Sequence, residues 1–153
     1  PVQIPTSILR ALKTGIFNPG KAITDDLFPG TLWLIHVLDA WLKLSDSERL
    51  VRANPWSWKE FVFGVPGPTY ASQRNSLLYL VHPKTFAPIV SEKHKALMRE
   101  AFMSEITERT GDIDRDLFAI ILQLQRKTHG PVNFYDGVLS KRWMPSEGTL
   151  LAL

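Results

Sequence analysis

A mainly α domain of about six or seven helices is the fold this sequence predicts. Two observations carry that expectation. Apolar residues recur at helical spacing in segment after segment, and those segments are bracketed by capping residues and by Pro or Gly breakers. The 153 residues suit one domain, and hydrophobic residues at 44% with charged residues at 22% are ordinary for a globular chain. A chain of this length buries roughly two-thirds of its unfolded surface.

Residues 5–14 predict a short helix, capped by Thr6 or Ser7, with Ile8, Leu9 and Leu12 on one face and Gly15 as its stop. Ile16 to Gly30 reads as a loop with one turn near Ile23 to Leu27, because prolines and turn residues interrupt it. Thr31 to Leu44 is the strongest helix and the expected centre of the core. Its polar residues His36, Asp39 and Lys43 fall on one narrow stripe, so the other faces need cover. Ser45 and Glu48 have capping-box spacing ahead of a short helix to about Ala53, which Asn54-Pro55 ends.

Ser57 to Phe63 is a brief amphipathic segment, followed by the rigid loop Gly64 to Pro68. A helix over 70–81 places Tyr70, Arg74, Leu77, Leu78 and Val81 on one face, and Pro83 closes it. Ser91 caps the next helix, whose inward stripe is Leu97, Met98, Ala101, Phe102 and Ile106. Asp112 caps another, with Ile113, Leu117, Ile120, Ile121 and Leu124 inward, ending at His129-Gly130-Pro131. A short strand over 132–135 and a final turn carrying Trp143 complete the chain. No repeat or internal boundary is visible, so residues 1–153 read as a single helical domain. Starting at Pro1 without an initiator methionine, it reads as a fragment of a longer protein.

Net charge is +3, and the positive residues are spread along the chain, so the global balance gives weak support for a nucleic-acid or phospholipid surface. The absence of cysteine removes disulfides, thiolate metal sites and cysteine nucleophiles, and fits a reducing, cytoplasmic setting. The most apolar segment, Leu32 to Leu44, is shorter than the ~20 residues a bilayer requires, and no membrane association is expected.

Gly15 to Ala22 approaches the phosphate-cradling pattern G-x-x-x-x-G-K, but Ala22 replaces the hydroxyl that holds magnesium, and the preceding segment reads as helix rather than strand. The histidines at 36, 82, 94 and 129 lack ligand spacing, so no metal site or cofactor is expected. His36 and Asp39 read as a hydrogen-bonded pair at the edge of the core. Asp112, Asp114 and Asp116 read as a cap and two carboxylates in a positive first turn. A nuclease would need carboxylates and a lysine converging from separate elements. No catalytic residue is nominated, and the chain is expected not to be an enzyme. The basic group Lys93, His94, Lys95 and Arg99 on one helix, with Arg74 as a weaker member, is the candidate nucleic-acid surface, weighed against a merely solvated helix face. Trp56, Trp58, Tyr70 and Tyr79 are either stacking platforms for bases or, more in keeping with their spacing, core.

Arg74-Asn75, Leu77-Leu78-Tyr79-Leu80, Pro83, Phe86, Pro88-Ile89-Val90-Ser91 and His94-Lys95 together resemble a segment upstream of the motor in McrB-like AAA+ restriction proteins. Trp56-Ser57-Trp58-Lys59-Glu60-Phe61, Asp112-Ile113-Asp114, Phe134-Tyr135 and Trp143 extend the resemblance over roughly residues 56–143, while the N-terminal helices of residues 1–55 resemble no family. His82 stands where the family pattern has a second aromatic. The resemblance implies a defence system in which a nucleotide-driven motor works with a nuclease subunit on foreign DNA. It makes this chain a non-catalytic accessory domain that contributes to DNA binding, with an assembly module docking on the motor or a partner subunit as the alternative. A degenerate nuclease is the third reading. An exposed apolar patch near Trp143 or Leu150 to Leu153 is the expected mark of an assembly module.

Overall fold

The structure is a computed structural model that describes residues 21–67 and 71–144. It is mainly helical: the described residues form α1 (Lys21–Leu42), α2 (Asp46–Val51), α3 (Pro55–Gly64), α4 (Ala71–Val81), α5 (Glu92–Ala101), α6 (Ile113–Thr128) and α7 (Gly137–Trp143), with a 3-10 turn at Met103–Glu105. The helix expected over 5–14, Tyr70, and the apolar run Leu150 to Leu153 lie outside the described residues.

The caps account for most helix starts. Ser45 and Glu48 form the reciprocal capping box at α2. Asn54 caps α3 by accepting from the backbone N–H groups of Trp56 and Ser57. Asn54-Pro55 therefore opens a helix as well as closing one, because proline suits a first helical position. Ser91 accepts from His94 N–H at α5, and Asp112 from Asp114 and Arg115 N–H at α6.

Two departures from the sequence pattern are physical. The stretch 21–30, expected as loop, is the first part of α1, which continues through Pro29. Gly30 is buried there, and its carbonyl accepts a hydrogen bond from Gln73 Nε2 at 2.8 Å. A β-carbon at Gly30 would stand 3.2 Å from the Gln73 side chain, so the glycine serves close approach to α4 rather than a turn. No strand forms among the described residues. Over 132–135 Asn133 Oδ1 accepts from Tyr135 N–H, an Asx turn that bends the backbone out of extended form.

The core has two parts. Trp33 and Val37 of α1 pack with Trp58 and Val62 of α3, Val65, Leu78 of α4, and Phe86. Met98 of α5 and its C-cap Phe102 pack with Leu117, Ile120 and Leu124 of α6, together with Ile89, Phe134 and Trp143. Trp143 Nε1 donates to the Phe134 carbonyl at 2.7 Å, which holds α7 against this second part. Phe102 is completely buried, with the Phe134 ring centred 5.3 Å away and the Arg142 guanidinium 4.0 Å over its own ring. Replacing Phe102 with Ala removes these contacts and leaves a cavity. The expected loss is about 3–5 kcal/mol of unfolding free energy, read by urea denaturation.

Candidate interaction site

Between the two core parts lies a buried polar cluster drawn from four helices and one cap. Lys95 of α5 is 2% exposed. Its ammonium donates to Asn75 Oδ1 at 2.7 Å and to Asp114 Oδ1 at 2.6 Å. Lys59 of α3 reaches Asp112 at 2.6 Å and the other oxygen of Asp114 at 2.7 Å. Asn75 Nδ2 donates to the Val90 carbonyl and to Glu92. Two ammonium groups thus face two carboxylates, and one buried amide bridges them to α4. Paired in this way, the charges escape most of the cost of leaving water.

Electrostatics of the outer pair follow from the same geometry. Burial by itself would push Lys59 down, but hydrogen bonds from its ammonium to Asp112 and Asp114 outweigh it and hold the group above the ordinary lysine range. Burial by itself would push Asp112 up, and Lys59 together with the helix N–H groups outweighs it, holding the carboxyl below its ordinary range. The signs give a plateau. The Asp112 contribution is lost as pH falls below about 3.9, and the Lys59 contribution as pH rises beyond about 10.4.

The candidate nucleic-acid residues separate under this geometry. Lys95 is committed to Asn75 and Asp114 and presents no ammonium to solvent. Arg99 lies 3.8 Å from the fully buried Asp116, whose other oxygen accepts from Thr110 N–H and Oγ1. Arg74 donates to the Val65 carbonyl and lies over the rings of Trp33 and Phe63. His94 is half-buried, its Nδ1 3.0 Å from the Tyr135 hydroxyl and its ring 5.0 Å from Trp143. Lys93 is exposed and makes no ion pair among the described residues. The helix therefore does not offer one basic face: two of its cations point into the fold.

Asp114 and Asp116 are likewise buried rather than solvated at the start of α6. The cluster does bring carboxylates and lysines together, the pattern a nuclease would need. Here the ammonium groups occupy the carboxylate oxygens that would face a cation, and neither cavity described below is lined by any of these residues. Among the described residues no three His, Asp or Glu side chains converge as a metal set. The expected His36–Asp39 pair does not form; Asp39 is bound by Lys43 at 2.6 Å. Trp58 is buried, and Trp56 is enclosed by Phe86, Phe118 and the Arg115 guanidinium, so both serve packing.

The open surface feature is elsewhere. Trp33 and Val37 are buried, but the neighbouring apolar face of α1 is not: Ile35, Leu38 and Leu42 are 54%, 61% and 71% exposed. Beside that face runs an apolar groove of about 630 Å³, floored by Val37, Trp41, Trp58 and Leu77 and edged by Arg49 and Arg52. A second, more polar cavity of about 410 Å³ lies between the Pro83–Pro88 connector and α6. Trp143 itself is buried, while Val138, Tyr135 and Met144 near it are exposed; the apolar groove lies beside α1. No described helix is long and apolar enough to cross a membrane. Compared with protein-family models, with curated proteins and with solved structures, the chain matches none.

Replacing Lys95 with Ala leaves Asp114 Oδ1 and Asn75 Oδ1 in the interior without their shared donor, and is expected to cost about 3 kcal/mol. Lys93→Ala, on the solvent side of the same helix, is expected within about 0.5 kcal/mol of the parent. Urea denaturation of both variants separates these outcomes; equal effects would remove the distinction between the two lysines.

Proposed function

We propose that this chain is a non-catalytic interaction module of a cytoplasmic, McrB-like restriction complex, docking on the motor or a partner subunit through the apolar face of α1 and its groove. The observation that supports this reading is the set Ile35, Leu38 and Leu42, spaced as one stripe and left uncovered beside an apolar groove. A helix stripe of that kind is burial surface without a partner, and covering it yields roughly 25 cal/mol for each Å² of apolar area removed from water. The setting itself rests on the resemblance of residues 56–143.

Co-purification with the AAA+ motor and nuclease subunits of such a system tests it. Leu38→Asp and Leu42→Asp alter exposed positions, so the variants should fold normally by circular dichroism and lose retention. Equal retention of parent and variants, or no association in any nucleotide state, would contradict docking through this face.

DNA contact is a second reading, supported by Lys93, exposed and without an ion pair among the described residues, beside His94 and the partly exposed Tyr135. Under it, gel shifts at low salt detect binding, and Lys93→Ala lowers the slope of log affinity against log salt by about 0.9, the share of one phosphate contact. Binding that ignores both salt and Lys93 would dispose of this reading.

A further inference from the structure

The groove beside α1 has properties that define what fits it, a step that rests on the docking reading above. Its walls come from α1, α2, the α2–α3 connection, α3, α4 and His82, and the lining offers no sheet edge. An extended peptide would find no ladder of backbone donors and acceptors there, and its own peptide groups would be left unpaired as they were buried. A helix satisfies its backbone internally and presents only side chains. The exposed stripe on α1, at 35, 38 and 42, has the i, i+3, i+7 spacing that lies along a neighbouring helix and runs about 10 Å.

Charge narrows the occupant further. The lining contains Arg49, Arg52 and His82 and no carboxylate; Arg49 lies 3.4 Å from Asp46 at the rim, and Arg52 has no ion pair among the described residues. The chain's own residues 1–20 carry Arg10 and Lys13 and no Asp or Glu, so they bring like charge to this edge. A second copy related by a two-fold axis would set the same arginine-edged patch against itself. A partner bearing Asp or Glu beside its apolar stripe complements the edge instead.

We propose that the groove takes an amphipathic α-helix of a partner protein, seated by apolar side chains at i, i+3 and i+7 and by a carboxylate against Arg52. The apolar side chains supply most of the affinity, and the carboxylate sets the direction in which the helix lies.

Selection from a displayed library of random peptides of about 16 residues, long enough for four helical turns, tests the assignment on the full chain. Enriched sequences should pair an apolar i, i+3, i+7 stripe with Asp or Glu. Their synthetic forms should gain helicity on binding and weaken about tenfold or more with Leu38→Asp. Arg52→Glu should shift preference from acidic to basic versions of one peptide, with Arg52→Gln showing the loss without the reversal. Enrichment of basic or extended sequences, binding untouched by Leu38→Asp, or no enrichment would overturn the assignment. Self-association of the parent chain that Leu38→Asp abolishes would give the groove to a second copy and overturn it as well. Co-purification with the motor and nuclease subunits is read separately, so a failed helix assignment leaves the docking reading to stand or fall on that result.

Discussion

The Lys95 ammonium is the point at which the two parts of this fold meet. It comes from α5 in one apolar cluster and is held by Asn75 from α4 in the other, with Asp114 of α6 as its counter-charge. Lys59 repeats the connection from α3 to the start of α6. Apolar contact alone is nearly indifferent to direction, and the clusters could slide against each other at small cost. Charges buried among specific oxygens cannot, because any displacement leaves an ion without its partner in a poorly solvating interior. The network thus sets the relative placement of α3 and α4 against α5 and α6.

That constraint changes what the basic helix means. Positive residues at 93, 95 and 99 look alike in sequence, yet only Lys93 is left to solvent, while Lys95 and Arg99 neutralise buried aspartates. The carboxylates at 114 and 116 are the internal counterparts of those two cations. With the charge spent inside, the most distinctive remaining surface is apolar. It lies on α1, a helix that covers its buried stripe with α3 and α4 and leaves its adjoining stripe open.

Much of the fold was legible in the sequence, because helical period and caps are local signals. Ser45, Ser91 and Asp112 cap where their neighbours predict, and Met98, Phe102, Leu117, Ile120 and Leu124 are inward. Pro29-Gly30 misleads as a turn because the use of Gly30, admitting Gln73, depends on a helix more than forty positions away. The site was legible only in part. Lys95 falls three residues before Met98 and seven before Phe102, on the inward stripe, and that register was the available sign of burial. Its partners at 75 and 114, and the Lys59 that shares Asp114 with it, are distant in sequence, and spacing carries no information about them. The groove was hidden for a related reason: periodicity marks α1 as apolar on nearly every side, but which side finds cover depends on the neighbours.

The claim that the polar network joins the two core parts into one unit is tested most directly by native-state hydrogen exchange on the parent chain and on Asp114→Asn. In the parent, the slowest amides of α3, α4, α5 and α6 should open with a common free energy, and Asp114→Asn should lower the protection of both parts together or separate them into two units. Distinct opening energies for α3–α4 and α5–α6 in the parent, unchanged by Asp114→Asn, would contradict the account.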